Sequence, residues 1–206
     1  MSRSFRVLPL VLLLGLAGCG GILPKPAAPP SLYRLTAASG FTATAAPVPV
    51  QLLIDAPSAE AALDTTRIAL GRSATTLDYF ADAAWTDRLP VVVQARLVQS
   101  FENSHRLAAV SAAATLFRVD AVLTTELHHF EASYDGAGAP HWRIEIAVKL
   151  IHQPDRKLVA ERIFTGDVPA ARNDMASIVD AADEDWRGVA RQIVDWAADN
   201  LSRVPR

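Results

Sequence analysis

The chain has 206 residues, half of them hydrophobic, and a formal net charge of −2 at neutral pH. This length suits a single domain with a substantial core. The weak acidity offers no basic surface for nucleic acid or anionic lipid headgroups, so we expect no nucleic-acid partner.

The N-terminal residues have the layout of a secretory signal that ends at a cysteine. Arg3 and Arg6 precede an apolar segment, residues 7–16, that is too short to span a bilayer. The sequence Leu16-Ala17-Gly18-Cys19 then resembles the lipobox of bacterial lipoproteins. In that family the cysteine becomes the first mature residue, with diacylglycerol on its sulfur and an acyl group such as palmitate on its amine. An ordinary signal with a chance cysteine nearby is the alternative.

We therefore expect residues 1–18 to be a signal peptide and 19–30 to be a lipidated cysteine followed by a tether. Residues 20–30 contain four prolines, which favour polyproline II and about 3 Å of reach per residue. Residues 31–206 are expected to form one globular domain. Lipidation would consume the only thiol, leaving none for a disulfide, a metal or catalysis.

The first half of the domain is predicted to be mainly β-structure. Short alternating or apolar segments bounded by turn residues indicate its strands. These predicted strands are residues 32–36, 48–54, 66–72 and 76–81, with a loop at 37–47 and a hairpin turn at Ser73-Ala74.

The apolar spacing then changes to that of a helix over residues 89–103. Asp87 is its predicted cap, and Pro90 suits its first turn. A second and longer amphipathic helix is predicted for residues 174–201, with Asn173 or Asp174 as its cap.

A short strand at 107–110 and an antiparallel meander lie between the helices. The strongest sheet signal is residues 142–150, where apolar and polar residues alternate strictly. Strands at 118–131 and 157–164 flank it across turn sequences. The predicted fold is an α/β sandwich, α+β-like, in which a mixed sheet of about eight strands carries both helices on one face.

A search for catalytic or metal-binding clusters favours surface explanations. His128 and His129 are adjacent in a strand, so their side chains are expected on opposite faces. Glu126 and His128 share a face and could bind a metal together with His141, although a polar strand face is the preferred interpretation. His105 and His152 are expected at the surface.

Two further patterns give no support for an enzyme. Ser73 lacks the flanking glycines of a nucleophile elbow. The acidic run Asp183-Glu184-Asp185 is expected to fan across the solvent face of the last helix. No enzymatic activity, cofactor or metal is therefore predicted.

Aromatic residues offer one more candidate for a function. Trp186 and Trp196 lie on the apolar side of the last helix, where core packing is expected. Trp85 follows a predicted strand and is the ring most favoured, in the alternative interpretation, for contact with a partner.

The order of these features resembles the PqiC-like family of ABC-type transport auxiliary lipoproteins, the partners of MCE-domain lipid carriers. The features are the lipobox, the proline tether, Leu32-Tyr33-Arg34-Leu35, Leu63-Asp64 to Leu70, Leu77-Asp78-Tyr79-Phe80, Trp85, Leu89, the meander and the terminal helix. The resemblance implies a non-enzymatic, lipid-anchored protein on the periplasmic side, usually of the outer membrane. It also implies an MCE-protein partner and a ring-shaped homo-oligomer, and only Cys19 transfers as a functional residue.

The expected function is therefore that of a non-catalytic auxiliary component in transport of lipids or other hydrophobic molecules across the envelope. Gly20, rather than aspartate, follows the cysteine, which by resemblance to enteric lipoproteins argues against retention in the inner membrane. The alternative is an envelope-assembly lipoprotein that binds outer-membrane machinery or cell-wall components. A lipid-anchored hydrolase is a third class, and it requires a polar catalytic cluster that the sequence does not supply.

Overall fold

The computed structural model describes residues 29–42, 46–113, 118–136, 138–153 and 155–204. In these residues an open mixed sheet carries two helices that contact each other on one of its faces. The strands are β1 (Ser31–Tyr33), β2 (Val48–Ile54), β3 (Ser58–Ala59), β4 (Arg67–Ser73), β5 (Thr76–Trp85), β6 (Leu107–Ser111), β7 (Ala121–Ser133), β8 (His141–His152) and β9 (Lys157–Pro169), and the helices are α1 (Leu89–Ser104) and α2 (Met175–Leu201). The predicted fold class is confirmed.

Strand β7 organises the sheet because it pairs along both of its edges. On one side it pairs antiparallel with β8, which pairs antiparallel with β9, so the predicted meander is confirmed. On the other side it pairs in parallel with β2, β3 and β4 in turn. β6 then extends the sheet beyond β2, and β5 and β1 extend it beyond β4. Within the described residues β9 therefore forms one outer edge, opposite β1.

Of the two predicted helix caps, one is wrong and one is confirmed. α1 begins after Arg88, and no side chain caps it, because the Asp87 carboxylate accepts the Arg88 backbone N–H at 2.7 Å instead. Pro90 does lie in the first turn of α1. Asp174 caps α2 as predicted, and its carboxylate accepts the Ser177 backbone N–H at 2.9 Å. No helix in the described ranges has the length and apolarity needed to cross a bilayer.

The core lies between the sheet and the helices and is rich in aromatic side chains. Four rings, from Trp85, Phe130, Trp142 and Trp186, pack with centroids 5.5–6.4 Å apart. Trp85 is only 1% exposed, so the interpretation that leaves it for a partner is wrong. Trp196 is half-buried rather than in the core, with its ring 5.5 Å from that of Phe164.

The segment of residues 34–42, here called the helix strap, runs over the helices. It contains the end of the predicted strand 32–36, since β1 stops at Tyr33. Leu35 and Ala38 are fully buried. The Ala38 backbone N–H donates to Ser100 of α1 at 2.9 Å, and Arg191 of α2 donates to the Gly40 carbonyl at 3.2 Å. The strap therefore contacts both helices.

Candidate functional site

The predicted lipid anchor lies outside the described residues. Cys19, the signal peptide of residues 1–18 and most of the tether therefore remain predictions. The described chain begins at Pro29 and enters β1 directly, and Leu32 there is 66% exposed. A tether would thus join the domain at the β1 edge of the sheet, the edge opposite β9.

A β-bulge in β7 changes the predicted orientation of the two adjacent histidines. Leu127 pairs with Ile146 and Phe130 with Ile144, so that His128 and His129 together oppose Glu145. Leu127 and Phe130 are both buried on the helix-covered face. His128 and His129 consequently lie together on the face without helices, and the expectation of opposite faces is wrong. Nothing in the local sequence signals this extra residue.

The proposed metal set of Glu126, His128 and His141 is not assembled. His141 pairs with Ser133, five residues along β7 from His128, a separation of roughly 16 Å along a strand. His128 instead lies between Glu145, with Nδ1 and Oε1 3.2 Å apart, and Glu126, with Nε2 and Oε1 3.8 Å apart. In the described part of the chain, no group of three or more histidine, cysteine, aspartate or glutamate side chains could hold a metal ion.

An open-face cleft of about 580 Å³ lies beside the bulge, on the face without helices. The β4–β5 hairpin and the segment after β3 form its walls, and β7 forms its floor. Its polar lining residues are Glu60, Ser73, Thr75, Thr76, His128, His129, Glu131, Ser133, Asp135 and Arg143. The cleft thus brings many polar and charged side chains together on one face of the described sheet.

Glu131 and His129 form a close polar pair in this cleft. Glu131 is 7% exposed, and its two carboxylate oxygens contact His129 Nδ1 at 2.7 Å and accept the Phe130 backbone N–H at 2.7 Å. A proton on Nδ1 would leave Nε2 as an acceptor for a bound group. The i, i+2 spacing of the two residues is the sequence signal that could have revealed the pair.

Ser73 lies in the same cleft without a catalytic arrangement. Its Oγ accepts the Thr75 backbone N–H at 3.3 Å, which closes the tip of the β4–β5 hairpin. No hydrogen bond joins Ser73 to a histidine within the described segments. The contact recorded for Ser73 is therefore that of a turn residue.

The predicted solvent face of the acidic run is correct only for Glu184, which is exposed. Asp183 accepts the Thr36 backbone N–H at 2.6 Å and also bonds the Thr36 hydroxyl, because the helix strap covers it. Asp185 is only 5% exposed and lies between α2 and β9. Burial, followed by the charges of Asp167 and Glu184, raises the pKa of Asp185 to about 7.

The two remaining histidines differ in exposure. His105 is exposed, as predicted, and ends α1 in the left-handed conformation with φ 52°. His152 is half-buried, and its Nδ1 lies 2.8 Å from Asp155. It lines a more apolar end cleft of about 520 Å³, where the end of α2 meets the starts of β2 and β7.

Comparison with known proteins decides the family. A family model described as ABC-type transport auxiliary lipoprotein component matches residues 33–194. The chain belongs to this family. The family's description names a lipoprotein component of ABC-type transport, and the resemblance stated from the sequence is confirmed at the level of the family.

Two solved structures share the fold, and one curated relative shares the sequence; none of them supplies an activity. A solved Xanthomonas campestris protein of family DUF330 is 28% identical, with a TM-score of 0.76 over 82% of this chain and 96% of its own. Another solved but uncharacterized protein is 16% identical, with a TM-score of 0.67 over 82% of this chain and 99% of its own. An uncharacterized Bradyrhizobium diazoefficiens protein is 28% identical over 165 residues, 80% of this chain and 44% of the relative. The chain thus spans less than half of that relative's length.

Proposed function

We propose that the mature protein is a non-catalytic docking module, lipid-anchored through Cys19 on the periplasmic side of the outer membrane. In this role it binds an MCE-domain transport protein and assists the transfer of phospholipid or another hydrophobic molecule between membranes. The observation that carries the proposal is the family match, which extends over nearly the whole folded domain.

The anchor and the domain have complementary roles in this proposal. At about 0.8 kcal/mol per buried CH₂, two or more acyl chains hold a protein stably at a bilayer, whereas one chain holds it only marginally. Confinement to the membrane raises the effective concentration of the domain near a partner on the same membrane. The tether would enter the domain at β1, so the β9 edge stays clear of the entry point.

The anchor is tested by Cys19→Ala in the full-length chain. Without a thiol to alkylate, we expect an unprocessed precursor that stays in the membrane fraction through its uncleaved signal. Metabolic labelling with a fatty acid and the electrophoretic mobility of the product measure this outcome. Release of a soluble, shortened protein from the Cys19→Ala variant would show that residues 1–18 are an ordinary cleaved signal.

The partner is tested by affinity capture of the tagged full-length protein from detergent-solubilised membranes. Recovery of an MCE-domain protein would support the proposal. Membranes that lack the gene for that protein serve as the control, and the captured protein should be absent from them. Recovery of barrel-assembly or peptidoglycan-linked proteins in its place would favour the envelope-assembly alternative. Native mass spectrometry of residues 31–206 tests the expected ring, and a strict monomer at high concentration would count against it.

A further inference from the structure

The contact between α2 and β9 contains a buried carboxyl group fitted against a glycine. Asp185 projects from α2 and is 95% buried. A Cβ atom built on Gly166 of β9 would lie only 1.7 Å from Asp185 Oδ1. Real Cβ contacts are never that short. The carboxyl group therefore fits in its present position only because residue 166 is a glycine, and any larger residue there would force β9 away from α2.

Within the described residues, no hydrogen-bond donor or cation is found for this carboxyl group. Asp185 Oδ2 is buried without a hydrogen bond, and the described residues give Asp185 no ion pair. A buried, unpaired carboxylate is costly, and the common outcome is that the group stays protonated. The same interior holds two indole N–H groups, of Trp142 and Trp186, that also lack partners in the described structure.

Among the described residues, no cation contacts Asp185 from the elements packed around it. Strand β2 and the helix-facing residues of β8 contain no titratable side chain. The nearby acids are Glu184 on α2 and Asp167 on β9, and Asp167 lies 2.9 Å from His141. The other cations on α2 and β9 are engaged elsewhere: Arg187 with Asp183, Arg191 with the Gly40 carbonyl, Lys157 with Asp155, and Arg162 over the Phe164 ring. The other acids on these two elements are exposed or paired, namely Asp180 and Glu161 in solvent and Asp195 and Asp199 with Arg106. On α1, Arg96 bonds Gln99 and Glu102 is exposed.

We propose that the Asp185–Gly166 contact makes the packing of α2 on β9 depend on pH. With Asp185 neutral, the carboxyl group packs against Gly166 and holds the outer strand to the helix. With Asp185 ionised, the unpaired charge favours states in which β9 separates from α2 and water reaches the carboxylate. The device acts on the free edge of the sheet, so it would control how readily that edge opens.

The sign of the effect follows from the direction of the pKa shift. The folded state holds the Asp185 proton up to a pKa of about 7, whereas the unfolded chain releases it near the ordinary value of 3.8. Folding therefore becomes less favourable as the pH rises from about 4 to about 7, and the full penalty applies above that window.

The first test is thermal unfolding of the purified full chain in detergent from pH 5.5 to 8.5. Because other groups also titrate, the readout is the difference in pH slope between the wild type and Asp185→Asn. We expect the melting temperature of the wild type to fall by roughly 4–8 °C more than that of Asp185→Asn over this range. Asp180→Asn removes an exposed acid from the same helix that does not act on Asp185, and should keep the wild-type slope. Parallel curves for the wild type and Asp185→Asn would overturn the proposal.

The second test asks whether the effect acts at β9. Hydrogen exchange of peptides covering residues 160–169 is compared between the wild type and Asp185→Asn at matched pH, so that intrinsic exchange rates cancel. We expect faster exchange in the wild type at pH 8 and a smaller difference at pH 6. An equal difference at both values would show that the charge of Asp185 does not control the strand.

The third test is a rescue that does not depend on titration. Gly166→Ala should destabilise the protein strongly, because its Cβ would overlap the carboxyl group. In an Asp185→Ala background the overlap disappears, so Gly166→Ala should cost much less there. If Gly166→Ala is equally damaging in both backgrounds, the two residues are not in the proposed contact.

Discussion

The two faces of β8 show how differently one strand can be used. On the helix-covered face every second residue is at most 1% exposed: Trp142, Ile144, Ile146, Val148 and Leu150. On the open face the intervening residues are exposed or half-buried, and Glu145 there contacts His128. One face therefore supplies packing energy, about 1.5–3 kcal/mol for each large apolar side chain, and the other presents polar groups. Because side chains alternate along a strand, the apolar residues of β8 pack in the core and its polar residues stay accessible on the open face.

Helix α2 does not follow this two-sided division, because it is covered twice. The sheet packs against one side of it, and the helix strap packs against another, through Thr36 and Asp183. Three consecutive acidic residues of α2 consequently have different environments: Asp183 lies under the strap, Glu184 is exposed and Asp185 is buried against β9. Polarity in a sequence predicts exposure well for a strand with one open face, and poorly for a helix enclosed on two sides.

The largest expected effect comes from truncation of the shared aromatic core. Trp186→Ala should lower the free energy of unfolding by about 3–5 kcal/mol, because the ring is fully buried against Phe130. Ile163→Ala on the open face is the matched control and should change stability by only about 0.5 kcal/mol, since that side chain is 55% exposed. Chemical denaturation measures both variants. Equal losses would contradict the division between the two faces.

Trp196→Ala should have an intermediate effect. The ring is half-buried and contacts Phe164 edge to face, so we expect a loss of about 1–2.5 kcal/mol rather than the full cost of a core tryptophan. Trp186→Ala in the same denaturation series is the same substitution at a fully buried site, so the difference between the two losses measures the effect of burial. A loss as large as that of Trp186→Ala would place Trp196 in the core after all.

The smallest expected effect tests the second cover of α2. Asp183→Ala removes the acceptor of the Thr36 backbone N–H and hydroxyl, and should cost about 1–2 kcal/mol. Glu184→Ala, one residue away and exposed, serves as the control and should be close to neutral. Faster hydrogen exchange in residues 34–42 of Asp183→Ala would locate the loss in the strap. A neutral Asp183→Ala variant would mean that the strap holds without this acid.

Much of the fold could be predicted because its signals are local. Strict alternation marked β8, a helical period marked α1 and α2, and Asp174 marked the start of α2. The bounds were less accurate where strand pairing continues past the apolar pattern, as in β9, which extends to Pro169. The two-residue β3 carries too few residues to show any period.

The candidate site could be predicted only in part, because its geometry depends on contacts distant in sequence. The bulge that brings His128 and His129 to one face is a mismatch between β7 and β8, visible only when the strands are paired. Asp87 satisfies every local rule for a cap, but its carboxylate accepts a different backbone N–H. The family, in contrast, was correctly inferred from the order of short motifs along the chain.

The amino-acid sequence by itself determined the class of fold, the order of the main elements and the family, since periodicity and motif order are properties of neighbouring residues. It also supplies the prediction of a lipid anchor at Cys19. Only the tertiary structure decided that Asp185 is buried, that Trp196 is half-buried and that both histidines share the open face. These outcomes depend on which segments pack together, and a carboxyl group becomes costly or harmless according to what covers it rather than to its position in the chain.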